Sequence, residues 1–495
     1  MGARMKPIPS KYGIKDIGVG LLDSITKGLY QDPFYVLREY LQNAVDAKPS
    51  EIEVTVSDVS VKISDNGTGM DRRGINKARR IGISEKPSDM LGFRGIGIWS
   101  GLAIADKIVM TTTKAGVDRK YILSIDAAGI KKELLSRKPL AEVLNIYVKI
   151  WETPEEALAH YTQVELSGIP EEPMQTLLDD EKMKAFIGQT LPVDFDPRFK
   201  YRETIANTLG RNVDNYYVAR ISFNGEPVYK PFINEVEHPM FYPLSKDGEH
   251  YGYCWACIHE KRGKIKDDSV ASLVYKLKGM TVGHRRTTRT LFKPGSEHLI
   301  EWVTGEIYIT HPEIIPNAAR DFFEYSPARE KFLEVTRYEL EKIEKEIRRK
   351  SKKEVAHDKV VNSIKQAEEI MADLPKLSVW DKIRAVQDLQ KLEQVLGRKK
   401  KDVGLRKTKE RAEETIQKIV VATEEIPVPK VKKIEKRIEI DEVLSSDQLN
   451  QQSKEILGMV LEVLSTGLGK GDLYNSIVNE IAEKIKDQII VGAKH

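Results

Sequence analysis

Cysteine is scarce: two residues in 495, too few for a disulfide scaffold and in keeping with a reducing compartment. Long apolar runs are also missing. A bilayer helix needs about 20 uninterrupted apolar residues, and the best stretch, 456–468, is short and broken by Glu462 and by glycine. The first eleven residues are basic but lack the apolar core of a signal peptide. Lys6 stands where a myristoylation signal wants Ser or Thr. No excess of one charge exists either, with 79 Lys and Arg against 75 Asp and Glu, which argues against an obligate polyanion binder. No GxxxxGK[ST] phosphate loop occurs, so that family of nucleotide folds is excluded. The expectation is a cytoplasmic chain with no membrane contact and, at roughly 100–200 residues per domain, about three domains.

Three compositional zones follow. Residues 1–170 mix helical periodicity, glycine clusters and short β-branched runs, as an α/β domain does. Residues 171–330 hold most of the aromatics and alternating runs such as Tyr216–Phe223, Tyr251–His259 and Glu306–Thr310, which read as strands with intervening helices. From 331 to 425 Glu, Lys, Arg, Leu and Ile dominate. A loose 3–4 spacing of Leu333, Tyr338, Leu340, Ile343 and Ile347 predicts long helices packing as a coiled-coil arm. Pro375 breaks that stretch, 426–437 reads as a linker, and 438–495 as a last helical segment. The fold class expected is α+β. Residues 391–411 carry nine Lys and Arg against Glu393, Asp402 and Glu410; a solvated helix face and a contact with phosphates both remain open. Cys254-Trp255-Ala256-Cys257 has the look of half a zinc site, but no second pair exists, and a strand there sends the two thiols to opposite faces.

The chemistry concentrates in three short stretches. In YVLREYLQNAVDA, 35–47, Glu39, Asn43 and Asp46 fall within about 60° of one another on a helix. Leu37, Leu41 and Ala44 lie opposite, so the polar stripe faces either solvent or a polar cavity. Two alternating segments, 52–56 and 60–64, then read as strands, and the second runs into Asp65-Asn66-Gly67-Thr68-Gly69-Met70. Glycines flanking one residue after a strand allow a tight turn and close approach of backbone to a ligand, and Asp65 can accept from an exocyclic amine. The third stretch is Gly92-Phe93-Arg94-Gly95-Ile96-Gly97, ahead of a helical pattern; backbone N–H groups there suit phosphate. Alone, such a glycine run is weak evidence.

In this order and spacing, the three stretches resemble the GHKL ATPases: gyrase B, the ninety-kilodalton heat-shock chaperones, histidine kinases and MutL. The likeness is greatest to the chaperone, MutL and MORC branches, and covers about residues 15–170. It implies a Bergerat α/β sandwich that binds ATP with Mg2+. Glu39 would be the general base, Asn43 the magnesium ligand, and Asp65 the partner of the adenine amine. Asp46, Gly67, Gly69 and Met70 would line the adenine side, and Gly92, Arg94, Gly95, Ile96 and Gly97 would form the lid hinge and phosphate cradle. Thr162, in the strand pattern 162–166, would complete the pocket, although Tyr161 stands where the family often has glycine. From the second, transducer domain such proteins extend a Lys or Arg to the γ-phosphate, and Lys278 and Arg285 in KLKGMTVGHRR are the candidates. Arg320, with Asp321 and Glu324, reads as a structural ion-pair cluster.

The resemblance further implies an ATP-promoted homodimeric clamp. A MORC-like role on double-stranded DNA draws on the basic run, a chaperone role on protein clients draws on the N-terminal helices, and a nucleotide-gated scaffold with little hydrolysis is a third reading. A histidine kinase fits poorly, because none of the nine histidines lies ahead of the ATP-binding stretch. The lack of a QTK-type loop argues against the gyrase and MutL reactions.

Overall fold

The computed structural model describes residues 17–23, 32–83, 95–214, 216–317, 319–424, 449, 451–468 and 472–492. The chain divides into two compact units, 1–347 and 348–495. No helix among the described residues is long and apolar enough to cross a membrane.

In the first unit, helix α1 (Pro33–Asp46) starts where Asp32 accepts from the Phe34 amide at 2.9 Å and Pro33 presets the first turn. Its apolar face, including Val36, Leu37, Leu41 and Val45, is buried. Strands β1 (Glu51–Val56) and β2 (Ser60–Asp65) alternate between buried and exposed residues, as a half-covered antiparallel sheet requires. A short helix α2 (Arg72–Ala78) and a 3-10 turn (Gly97–Ala103) precede β3 (Lys107–Thr113) and β4 (Arg119–Asp126). After helices α3 (Ala127–Glu133) and α4 (Leu140–Tyr147) come β5 (Val148–Pro154) and β6 (Tyr161–Ser167). Helices α5 (Glu171–Leu177), α6 (Asp180–Thr190) and α7 (Arg202–Asn212) lead to β7 (Arg220–Phe223) and β8 (Glu226–Pro227). These eight strands form one sheet in the order β5-β4-β3-β6-β2-β1-β7-β8.

The place of β7 and β8 differs from the expected boundary at 170. β7 pairs in parallel with β1, Ile52 opposite Ile221, and Met174, Leu177, Met183, Ile187, Ile221 and Phe223 share the first core. A parallel partner needs a long crossover, and the helices between β6 and β7 supply it.

A second sheet follows, ordered β12-β11-β13-β10-β9, with β9 (Met240–Lys246), β10 (Glu249–Ile258), β11 (Ser272–Leu277), β12 (Met280–Val282) and β13 (Val303–Ile309). Both faces of this sheet are covered. Cys254 lies in the core on one side with Tyr275 and Ile307, and Cys257 in the core on the other with Phe195 and Trp255. Strand alternation thus parts the two thiols, and burial pushes Cys257 up to about 12.

Helix α8 (Pro327–Asp373) begins against the second sheet, where Leu333, Leu340, Ile343 and Ile347 join its core and Tyr338 points outward. In the second unit, α8 from 348 onward, α9 (Val379–Lys399) and α10 (Arg406–Glu424) fold back on one another around Val360, Ile364, Leu389, Leu396 and Ile419. A 3-10 turn at Leu374–Lys376 marks the predicted break at Pro375. Helices α11 (Gln451–Leu468) and α12 (Asp472–Gly492) occupy the last segment; the expected linker lies outside the described residues.

Candidate functional site

Asn43 and Asp46 of the α1 polar stripe line a cavity of about 480 Å3, the size of a small-ligand pocket, while Glu39 is not part of the lining. Asn43, Asp46, Asp65, Gly69, Met70, Gly95, Gly97 and Thr162 all line it. Gly67 and Ile96 adjoin the lining, and Gly92 and Arg94 lie outside the described residues.

Register explains why residues a hundred positions apart meet there. β2 pairs with β6 so that Asp65 lies opposite Thr162, and β3 pairs with β6 so that Thr112 does too. The Thr112 hydroxyl ties the floor together. It donates to the Tyr161 carbonyl at 2.9 Å, lies 3.1 Å from the Thr162 hydroxyl and accepts from the Met70 amide at 3.0 Å. Gly69 has φ +59, and a Cβ there would fall 1.7 Å from the Thr113 carbonyl oxygen, so no larger residue fits the turn. Asp65 is buried, and its Oδ1 accepts from the Gly67 amide at 2.9 Å. Burial raises its carboxyl to about 7, with the Gly67 bond only partly opposing the shift.

At the other end, Glu39 and Asn43 stand one helical turn apart beside the 3-10 turn. A Cβ on Gly97 would lie 3.0 Å from Glu39 Oε2 and 3.3 Å from Asn43 Nδ2; glycine lets the backbone come this close. Tyr40 holds the turn to α1, donating to the Ile98 carbonyl at 2.9 Å and accepting from the Gly101 amide at 3.1 Å.

The second sheet's domain reaches Glu39 through a residue read from the sequence as purely structural. Arg320 is buried, has φ +55, and its Nε donates to Glu39 Oε1 at 3.2 Å. The neighbouring Arg38 guanidinium donates to the Thr281 carbonyl and is pushed down to about 10, by burial first and by Arg320 second. Arg285 is committed elsewhere: its Nη1 donates to the carbonyls of Val270 at 3.0 Å and Ser272 at 2.7 Å. Lys278 is at φ +50 in the turn between β11 and β12. Among the described residues, Arg320 is the second-domain cation seen to donate to Glu39. Nothing local in the sequence marks it, because the contact spans 281 positions. Lys77 and Arg80, which also line the cavity, were likewise unmarked by their spacing.

Residues 30–148 match the sequence profile of the family described as histidine kinase-, DNA gyrase B-, and HSP90-like ATPase. The chain carries a GHKL ATPase domain. Its relatives include chaperone protein HtpG from several bacteria. That of Campylobacter jejuni subsp. doylei is 27% identical over 179 residues, covering 29% of this chain and 29% of the relative. The protein of Rickettsia bellii is 28% identical over 149 residues, 23% of this chain and 24% of the relative. That of Wolinella succinogenes is 27% identical over 199 residues, 29% of this chain and 32% of the relative. The chain thus spans under a third of the length of these relatives.

Proposed function

We propose that this protein binds and hydrolyses ATP in the cavity between α1 and the first sheet. The observation that carries the reading is a cavity lined by Asn43, Gly97 and Asp65, with Glu39 beside Asn43 and the Gly97 backbone. Phosphoanhydride hydrolysis needs a base to orient water, donors for the developing charge and a metal between the phosphates. Glu39 is the base and Arg320 the donor contributed by the second domain. Asp65, with Thr162 and Gly69 beside it, takes the adenine end. Magnesium favours one or two protein oxygens with the remainder from phosphate and water. The Asn43 amide, beside Glu39 and the Gly97 backbone, fits that donor set, and the bound ion would neutralise phosphate charge.

Nucleotide binding then drives pairing of two copies into a clamp. A protein client is favoured by the name of the HtpG relatives. The test is nucleotide binding and phosphate release for Glu39→Ala. Retained affinity for a non-hydrolysable ATP analogue with phosphate release reduced at least ~100-fold is expected, the scale of removing one catalytic group. Unchanged release in that variant would remove Glu39 from the reaction.

A further inference from the structure

The basic run at 398–409 acquires a second half in the folded chain. Residues 348–353 (RRKSKK) and 398–409 (RKKKDVGLRKTK) together hold twelve lysines and arginines and a single acidic residue, Asp402. They are about 50 positions apart, on different helices. The bundle brings them to one end: Lys352 Nζ lies 3.5 Å from Asp402 Oδ1, and a Cβ on Gly404 would sit 3.8 Å from Lys353 Cδ. α8 enters the bundle at this level, α9 ends there and α10 starts there, so three elements present cations to the same patch.

Three of the acids nearby are already engaged, and Glu354 adjoins Lys353. Asp402 faces Lys352, Glu410 holds Arg406 at 2.7 Å, and Glu413 holds Lys400 at 3.1 Å. Lys353, Arg398, Lys401 and Lys407 are exposed. With neighbouring helices about 8–10 Å apart, the end of the bundle is about 20 Å across. A duplex presents one charge per roughly 1.7 Å of axis with both strands counted, so about twelve phosphates lie along a patch of this width and about half of them are on the side that faces it.

We propose that this end of the bundle is a binding surface for the phosphate backbone of duplex DNA, engaged without regard to sequence. Its composition selects that partner. No aromatic occurs in either run, so single strands find nothing on which to stack their bases. Neither run contains Asn or Gln, the amides that read adenine in the major groove. Leu405 is the exposed large apolar residue of the patch, 59% accessible, and one such side chain gives little area for insertion into a lipid surface. The surface lies wholly within residues 348–495 and is independent of the nucleotide site.

The test uses the full chain, two unrelated duplexes of about 30 base pairs and a KCl titration followed by fluorescence anisotropy. Wild type should bind both duplexes equally, with log Kd linear in log salt. The combined variant Lys353→Gln, Arg398→Gln, Lys401→Gln and Lys407→Gln should lower the slope by about 0.9 for each phosphate left unneutralised, about 3–4 in all. Phosphate release from ATP without DNA should be unchanged. Lys353→Arg, Lys401→Arg and Lys407→Arg together should retain the wild-type slope, separating charge from any loss of folding. The proposal is overturned by no duplex binding at about 50 mM KCl, where phosphate binding is strong, or by an unaltered slope in the glutamine variant. It is also overturned if phosphatidylserine vesicles bind more tightly than duplex and displace it.

Discussion

Asp65 can serve an amine without ionising. A neutral carboxyl still accepts through its carbonyl oxygen, and burial lifts this one to about 7. The folded state holds this proton up to about pH 7, whereas an unfolded Asp releases it near ~4. The folded form therefore binds more protons between those values, and this group's contribution to stability is present below about pH 4 and falls as pH rises to about 7. Asp65→Asn removes the titration. The variant should melt above wild type at about pH 8, with the gap narrowing toward about pH 4, and should lose nucleotide affinity; paired melting curves across that range check the first and analogue titration the second. A gap independent of pH would show that the carboxyl is not held protonated. Asp65 and its flanking glycines were legible in the sequence because a strand ending in a tight glycine turn is a local pattern. Arg320 was not. Its left-handed backbone and its partner, 281 positions away, are properties of the assembled chain.

At the scale of elements, α1 was legible almost whole. The helical period places Glu39, Asn43 and Asp46 on one stripe and the apolar residues on the other, and the capping Asp32 with Pro33 sets the start. Period alone left open whether the stripe faces solvent; the packing of the 3-10 turn decides that. Tyr40 is the link between the two. Tyr40→Phe removes the two hydroxyl bonds to the Ile98 carbonyl and the Gly101 amide, and should cost about 1 kcal/mol for each bond lost, seen as a lowered denaturation midpoint. The same change should weaken nucleotide binding, because the turn that carries Gly97 loses its anchor; a lowered midpoint with unaltered affinity would show that the anchor matters to the fold alone. β7 and β8 lie beyond the expected boundary at 170 yet join the first sheet, for a physical reason. A parallel edge pair is specified by long-range packing, and no turn signal announces it. Glu306 is a similar case. It reads as part of a strand, but its ion pair with Lys230 at 3.0 Å, both buried, crosses 76 positions. Burial alone would raise its carboxyl, yet Lys230 and Lys276 outweigh that and hold it at about 2.

Over the whole molecule, composition gave the order of zones and their class, and the arm's helices were legible from charge and period. That α8, α9 and α10 turn back into a bundle was not, since the apolar spacing suits packing against any neighbouring helix. The consequence is the polybasic end, which no single run of sequence displays. The first unit holds the nucleotide cavity and also the residue that reaches Glu39 from the second sheet's domain. The central claim is that Glu39 and Arg320 act together on bound ATP. It is tested most directly by steady-state phosphate release and analogue binding in Arg320→Ala beside wild type. Losing a preformed donor to developing charge costs about 100-fold or more in turnover. The account predicts that fall in kcat with affinity for the analogue changed only a few-fold. Turnover in Arg320→Ala at the wild-type rate would contradict it.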